Sequence, residues 1–229
     1  MARRGRRKNE TEDEAKPSLK ATGGTYQPLN LNETKQISDA AIEIMCTVGF
    51  SECPKPVVQK LLEFGCQKIR DRIHFSNSLI DEVLQKIPKL VTLYGRSNKY
   101  DLRVGKSASF VGTGGASPYI LDIQTDTYRA STLSDLYDSA RLCDQLDHIQ
   151  FFSRSLVARE IKTPRDLDLN TVFACILGTQ KHIMTSASEP EHVEEIAEIC
   201  YSIAGSEAKF RAEPFVSFNI NHALSLIHI

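Results

Sequence analysis

The densest chemical signal in the sequence is FVGTGGASPYILD, residues 110–122, where Gly112, Gly114 and Gly115 fall within four positions after an apolar, strand-like run. A glycine loop that cradles phosphate needs a helix directly after it, because the anion rests on that helix's N-terminal N–H groups. Here Gly115 leads through Ala116 and Ser117 into Pro118 and a second extended stretch. That context argues against a Rossmann or P-loop site, and with it against a nucleotide or S-adenosylmethionine enzyme. The glycines predict either a tight turn between two strands or a backbone that must come close to a neighbour or a ligand. A second signal is PFVSFNIN (214–221), where Val216, Phe218 and Ile220 alternate with Ser217, Asn219 and Asn221. A sheet buried on both faces rarely tolerates a polar face, so these residues are expected to line something. No pair of His or Cys residues has the spacing of zinc ligands, which leaves zinc-assisted chemistry without a donor set.

Periodicity says what would hold these residues in place. Asn32 is expected to cap a helix on which Ile37, Ala41, Ile44 and Val48 recur at helical spacing, ended by Gly49. A short helix from Pro54 to Phe64 stops at Gly65, and a third follows the capping-box-like pair Ser78 and Asp81, with Leu79, Val83, Leu84 and Ile87 inward. A β-rich stretch comes next: VTLYGR (91–96), SASFVG (107–112) and PYILDIQ (118–124). Beyond a helix from Thr132 to Asp147, boxed by Thr132 and Asp135, the chain alternates. HIQFFSRSLV (148–157), HIMTSAS (182–188) and PFVSFNIN read as strands, with helices at 166–177 and 189–204, the second capped by Ser188 and Glu191. Alternation of this kind predicts βαβ units and a parallel sheet, an α/β fold.

Composition sets the outer bounds. The formal charge of −1 gives no reason to expect nucleic acid or an anionic membrane as the main partner. The basic block Arg3 to Lys8 is followed at once by Glu10, Glu12, Asp13 and Glu14, which predicts a disordered charged tail over residues 1–22. No apolar stretch follows the arginines as in a secretory signal, and none approaches the ~20 residues of a membrane span, so the default location is cytoplasmic. The six cysteines are scattered without a C-x-x-C pair, the pattern of reduced thiols.

Several motifs sharpen this reading. GGTYQPL (23–29), LYGR (93–96), GTGGASPYILD with the downstream YRASTLSDL, SRSLVARE (153–160) and PFVSFNINH (214–222) resemble the trimethylamine methyltransferase family. Order and spacing match from about Gly23 to His222. The resemblance implies a (β/α)8 TIM barrel, of which residues 23–229 would be the N-terminal part, preceded by N-terminal helices and a short β-rich segment. A closed barrel takes about 250 residues on its own, and the alternating part here provides roughly three βα units. The expectation is therefore a truncated barrel domain, inactive alone.

By the same resemblance, the chain would help move a methyl group from a methylated amine to the cobalt of a corrinoid protein, the chemistry of methanogenesis. The amine would be trimethylamine or a quaternary amine such as glycine betaine. The corrinoid (cobalamin) would be carried by that partner rather than bound here, and the full-length protein would be a homo-oligomer. Reduced cobalt attacks the methyl carbon and the amine leaves, so the protein must align both and exclude water. A methylated ammonium is held best on aromatic faces; with no tryptophan in the chain, Tyr94 and Tyr119 beside the family motifs are the candidates. Gly114 and Gly115 of the family's glycine loop are substrate-binding candidates, and because barrel sites form at the C-terminal ends of strands, Ser186, Asn219 and Asn221 are selected for positioning and Arg159 for a substrate carboxylate. His222 is the catalytic candidate, orienting substrate or exchanging a proton with the departing amine. The pyrrolysine that serves the trimethylamine-specific branch would lie beyond Ile229, so these residues do not choose between amines. The competing reading is a non-catalytic methylamine-binding or interaction fragment.

Overall fold

The computed structural model describes residues 21–24 and 26–219, so the charged block at 3–14, Asn221 and His222 lie outside the described residues. Strand β1 (Ala21–Thr22) precedes helix α1 (Leu31–Thr47). Its cap is Asn30 rather than Asn32: the Asn30 side chain accepts from the Glu33 amide, and the Glu33 carboxylate accepts from the Asn30 amide. Asn30 wins because it has a glutamate three residues on, which completes a capping box. Gly49, at φ 69°, lets the chain leave the helix. Helix α2 (Lys55–Glu63) leads into a hairpin of β2 (Gln67–Ile69) and β3 (Arg72–His74), strands too short to register as alternation in the sequence. Helix α3 (Asn77–Lys86) is capped by Ser76, whose hydroxyl accepts from Leu79 N, so Ser78 and Asp81 fall inside it. The faces expected to turn inward are not covered: Ile37, Ala41 and Ile44 of α1 and Val83, Leu84 and Ile87 at α3 are exposed.

The β-rich stretch is a set of antiparallel pairs rather than one sheet. Strand β4 (Leu90–Leu93) pairs with β5 (Leu102–Gly105), β6 (Ala108–Ser109) with β1, and β7 (Tyr119–Asp122) with β8 (Thr127–Ala130). Helix α4 (Leu133–Asp144) carries the expected Thr132 and Asp135 capping box. From there the alternation is as expected, β9 (Phe151–Ser153), α5 (Pro164–Gly178), β10 (His182–Thr185), α6 (Pro190–Ala204) and β11 (Val216–Phe218), with one short helix, α7 (Glu207–Ala212), that the sequence reading did not include. The three strands form a parallel sheet in the order β11-β10-β9. The fold is α/β, and no closed barrel forms among the described residues.

Register fixes the two faces of this sheet. Phe152, Ile183 and Val216 lie on one side, where they pack with Leu136 and Ala140 of α4, Val172, Cys175 and Ile176 of α5, and Ile196 and Cys200 of α6. Full burial of a side chain such as Phe152 or Ile183 contributes about 1.5–3 kcal/mol. Phe151, Ser153, His182, Met184 and Ser217 share the opposite face, which is the polar alternation of the last strand made visible.

The glycine stretch is not a turn between two hairpin strands. Gly112 bridges Phe151 and Ser117 bridges Leu156, both in parallel sense, so residues 112–117 run beside β9 on the edge away from β10. Thr113 replaces part of the ladder with its side chain, its Oγ1 contacting both the carbonyl and the amide of Ser153. The close-approach reading holds at Gly112, where a Cβ would sit 2.2 Å from the Phe151 ring.

Candidate functional site

Four chain segments thus end side by side. Extending the observed register puts Gly114 level with Ser153, Met184 and Ser217, and puts Ser186 level with Asn219, whose amide donates to Thr185 O at 2.7 Å. At the usual strand spacing of ~4.8 Å the row from the glycines to Asn219 is about 14 Å across. It lies at the C-terminal ends of parallel strands, where α/β folds leave a crevice for ligand. Ser186 is half-buried, whereas Gly114, Gly115 and Asn219 are exposed.

Gly114 and Gly115 differ from Gly112 in an informative way. Neither has a positive φ, and a Cβ at either would meet open space. Nothing in their own surroundings among the described residues requires glycine there, which leaves room for another molecule to approach the backbone.

Tyr119 and Arg159 follow the glycine segment and β9 in the chain and meet each other. Ser117 N donates to Ser155 O, and the buried Ser131 hydroxyl donates to Val157 O at 2.7 Å, which ties the start of the β7–β8 hairpin to the segment after β9. Arg159, whose amide donates to Ser131 O, carries its guanidinium 5.1 Å from the centre of the Tyr119 ring. The cation–π partner of Tyr119 is therefore this chain's own arginine, and a ligand cation would have to use the other face or displace it.

Tyr94 is placed at the other end. Its carbonyl accepts from Nδ1 of His182, the first residue of β10, and Arg96 N donates to Gln180 O. Four residues of strand, about 13 Å, separate that level from Ser186. The register therefore sets Gly114 level with β9–β11 and Ser186 level with Asn219, Tyr119 and Arg159 form a separate pair, and Tyr94 stands at the opposite end of β10. Asn221 and His222 lie outside the described residues. Ser188 is not the cap of α6; that place falls to Glu189, which makes no side-chain cap, while Asp168 holds Ser188.

Two functional-looking groups at the far end are accounted for by structure. Because a carbonyl only accepts, His182 donates from Nδ1 to Tyr94 O, and in the neutral ring Nε2 accepts from Ser217 Oγ at 2.8 Å. Burial holds this imidazole below its ordinary pKa, with the Tyr94 bond opposing in part, so the neutral form is the native one. Lys181, nearly inaccessible, donates to the carbonyls of Cys143, Leu146 and Ile149 at 2.5, 2.8 and 2.6 Å, closing the C-terminal end of α4. Burial also pushes the Cys175 and Cys200 thiols up to about 12, too far for a nucleophile at neutral pH.

Sequence reasoning missed His182, Lys181, Asp168 and His192. The Lys181-His182 pair at the head of an apolar run was a readable oddity, since charged residues seldom enter a buried strand unpaired. Asp168 and His192 gave no such signal, because each sits where a solvated helix residue is normal.

Comparison with known proteins adds the family. A model of the trimethylamine methyltransferase (MTTB) family matches residues 1–228. The chain is 28% identical over 160 residues to trimethylamine methyltransferase MttB of Desulfitobacterium hafniense (strain DSM 10664 / DCB-2), covering 65% of this chain and 32% of that one. It is 27% identical over 192 residues to trimethylamine methyltransferase MttB of Methanosarcina thermophila, covering 81% and 40%. It is 19% identical over 196 residues to the glycine betaine methyltransferase of Desulfitobacterium hafniense (strain Y51), covering 86% and 41%. The chain thus spans about two-fifths or less of the length of these relatives. On the strength of a match along nearly its whole length, this chain belongs to the trimethylamine methyltransferase family.

Proposed function

We propose that this chain forms the N-terminal part of a methyltransferase that moves a methyl group from a methylated amine to the cobalt of a corrinoid protein. The observation that carries the reading is the row at the strand ends, with open space at Gly114 and Gly115 on one edge and Ser186 and Asn219 further along it, in a chain of this family. The parallel order β9-β10-β11, with helices packed on one face, fits the opening units of a (β/α)8 barrel, which the remainder of such a chain would close.

The corrinoid enters as a co-substrate on its partner protein and supplies the electron pair that takes the methyl. The residues here bind and orient. The row presents hydroxyl, amide and backbone groups and no carboxylate of its own, which suits a neutral amine or one whose charge is balanced within the substrate. Tyr119 offers an aromatic face for methyl groups, and Arg159 beside it is placed to take a carboxylate if the amine is a betaine. His222 and Asn221 keep their proposed roles in proton exchange and positioning. Among the described residues no helix is long and apolar enough to cross a membrane, and a cytoplasmic location goes with the proposed chemistry.

The test mixes a full-length protein carrying this chain as its N-terminal part, and the same protein without it, with trimethylamine or glycine betaine and a corrinoid protein whose cobalt has been reduced, following the visible absorption change on cobalt methylation. Methyl transfer that depends on the chain supports the reading. Amine binding without transfer would favour a binding fragment instead, and absence of both would sink the amine assignment.

A further inference from the structure

The carboxylate of Asp168 takes no part in the roles assigned above, yet it is the most deeply buried acid among the described residues. It sits in the second turn of α5, 2% exposed. Three donors converge on it: Ser188 N at 2.6 Å and His192 Nδ1 at 2.8 Å on Oδ2, and Ser188 Oγ at 3.2 Å on Oδ1. An ionised carboxylate only accepts, so His192 donates from Nδ1 and Ser188 donates both its amide and its hydroxyl.

All three donors belong to the loop after β10 and the first turn of α6. That helix starts without a side-chain cap of its own, since Glu189 makes none. The loop's anchor is therefore supplied from the neighbouring helix. Ser186, which continues β10 into the row of strand ends, is two residues from Ser188. A second tie, Arg165 with Glu195, joins α5 to α6 at the surface but does not touch the loop.

We propose that Asp168 is a positioning residue: it holds the β10–α6 loop, and through Ser188 it sets where Ser186 stands in the row of strand ends. The relevance to substrate rests on reading that row as a methylated-amine site; the holding of the loop does not.

The test is Asp168→Asn in the full 229-residue chain, read by amide hydrogen exchange and imidazole nitrogen shifts. The asparagine side chain has one acceptor oxygen and turns an amide donor toward His192, which must then carry its proton on Nε2 to accept. The expected result is a switch of the His192 tautomer and Ser188 amide exchange faster by about 10- to 100-fold, the range for a lost bond to a charged group, with the amides of β10 unchanged. Equal acceleration across β10, or no change at Ser188, would overturn the proposal. Should the variant fail to fold, His192→Ala decides: it leaves Asp168 its two direct bonds from Ser188, so Ser188 should stay protected, and loss of that protection would overturn the proposal by making His192 the anchor. Glycine betaine titrated into the wild type reads the dependent part. Shifts at Ser186 and Asn219 that weaken several-fold in Asp168→Asn support it, and wild-type shifts that the variant leaves intact overturn it. If glycine betaine moves nothing in the wild type, the amine-site reading loses support while the exchange result still decides the role of Asp168.

Discussion

Helices α1 and α4 carry apolar residues at identical spacing with opposite outcomes. Ile37, Ala41 and Ile44 recur at intervals of four and three, as do Leu136, Ala140 and Cys143. The α4 residues are buried against α5 and the parallel sheet, whereas α1 has no buried residue and Ile37 is 59% exposed. The same contrast runs through the neighbouring elements, with Val83, Leu84, Ile87 and Leu90 exposed in the first region and Val172, Ile183 and Ile196 enclosed in the second. Periodicity therefore names the face of a helix that is available for burial; a partner element has to cover it. Within the described residues the second region covers its helix faces, whereas the first encloses only a small set, Cys66, Ile73, Ile80 and Leu102.

The largest expected effect tests this directly. Phe152→Ala removes a fully buried ring and should cost about 3–5 kcal/mol, while Ile37→Ala should change stability by no more than about 0.5 kcal/mol. Urea unfolding of both variants checks it, and equal losses would break the comparison. Next in size is Lys181→Met, which strips three carbonyls near the end of α4 of their donor and should cost on the order of 2 kcal/mol. Lys86→Met, at an exposed pair with Glu82 in the first region, should leave the unfolding midpoint where it is.

The glycines sharpen the contrast within a few residues. Gly112→Ala drives a methyl into the Phe151 ring and should cost about 1–3 kcal/mol. Gly115→Ala should leave the melting temperature unchanged yet weaken amine binding, if the open space beside it receives a ligand. A destabilised Gly115→Ala would move that glycine from function to fold.

The smallest effect is in the pH dependence. An unfolded histidine titrates near 6.5, and burial sets the folded value of His182 below that. Between the two values the unfolded chain binds a proton that the folded chain refuses, so stability present above pH ~6.5 falls as pH drops and continues to fall until the folded value is reached. His182→Asn should flatten the difference between urea midpoints at pH 7.5 and 5.5. An unaltered slope would show that the imidazole does not carry it.

Much of the architecture was legible because its signals are local. The alternation after residue 148 depends on strand and helix periods that a short window contains, and the Thr132 box and Gly49, at φ 69°, are local punctuation. Errors arose where two local signals competed. Asn30 displaced Asn32, Ser76 displaced Ser78, and Glu189 took the cap position expected of Ser188, whose amide and hydroxyl donate instead to a carboxylate twenty residues upstream. Of the candidate site, the rule for strand ends selected Ser186 and Asn219, which the register sets level with each other, while Gly114 and Gly115 came from the glycine motif and Tyr94 only from its nearness to a motif.

The sequence by itself determined which segments are strands and helices in the second region, which face of the last strand is polar, and the family. These follow from residue order, which sets side-chain direction within an element. Only the tertiary structure decided that the glycine segment runs beside β9, that Tyr94 and Ser186 stand at opposite ends of the sheet, and that Asp168 meets Ser188. Those pairings join residues far apart in the chain, and their geometry is set by strand register and by which helix faces find a partner.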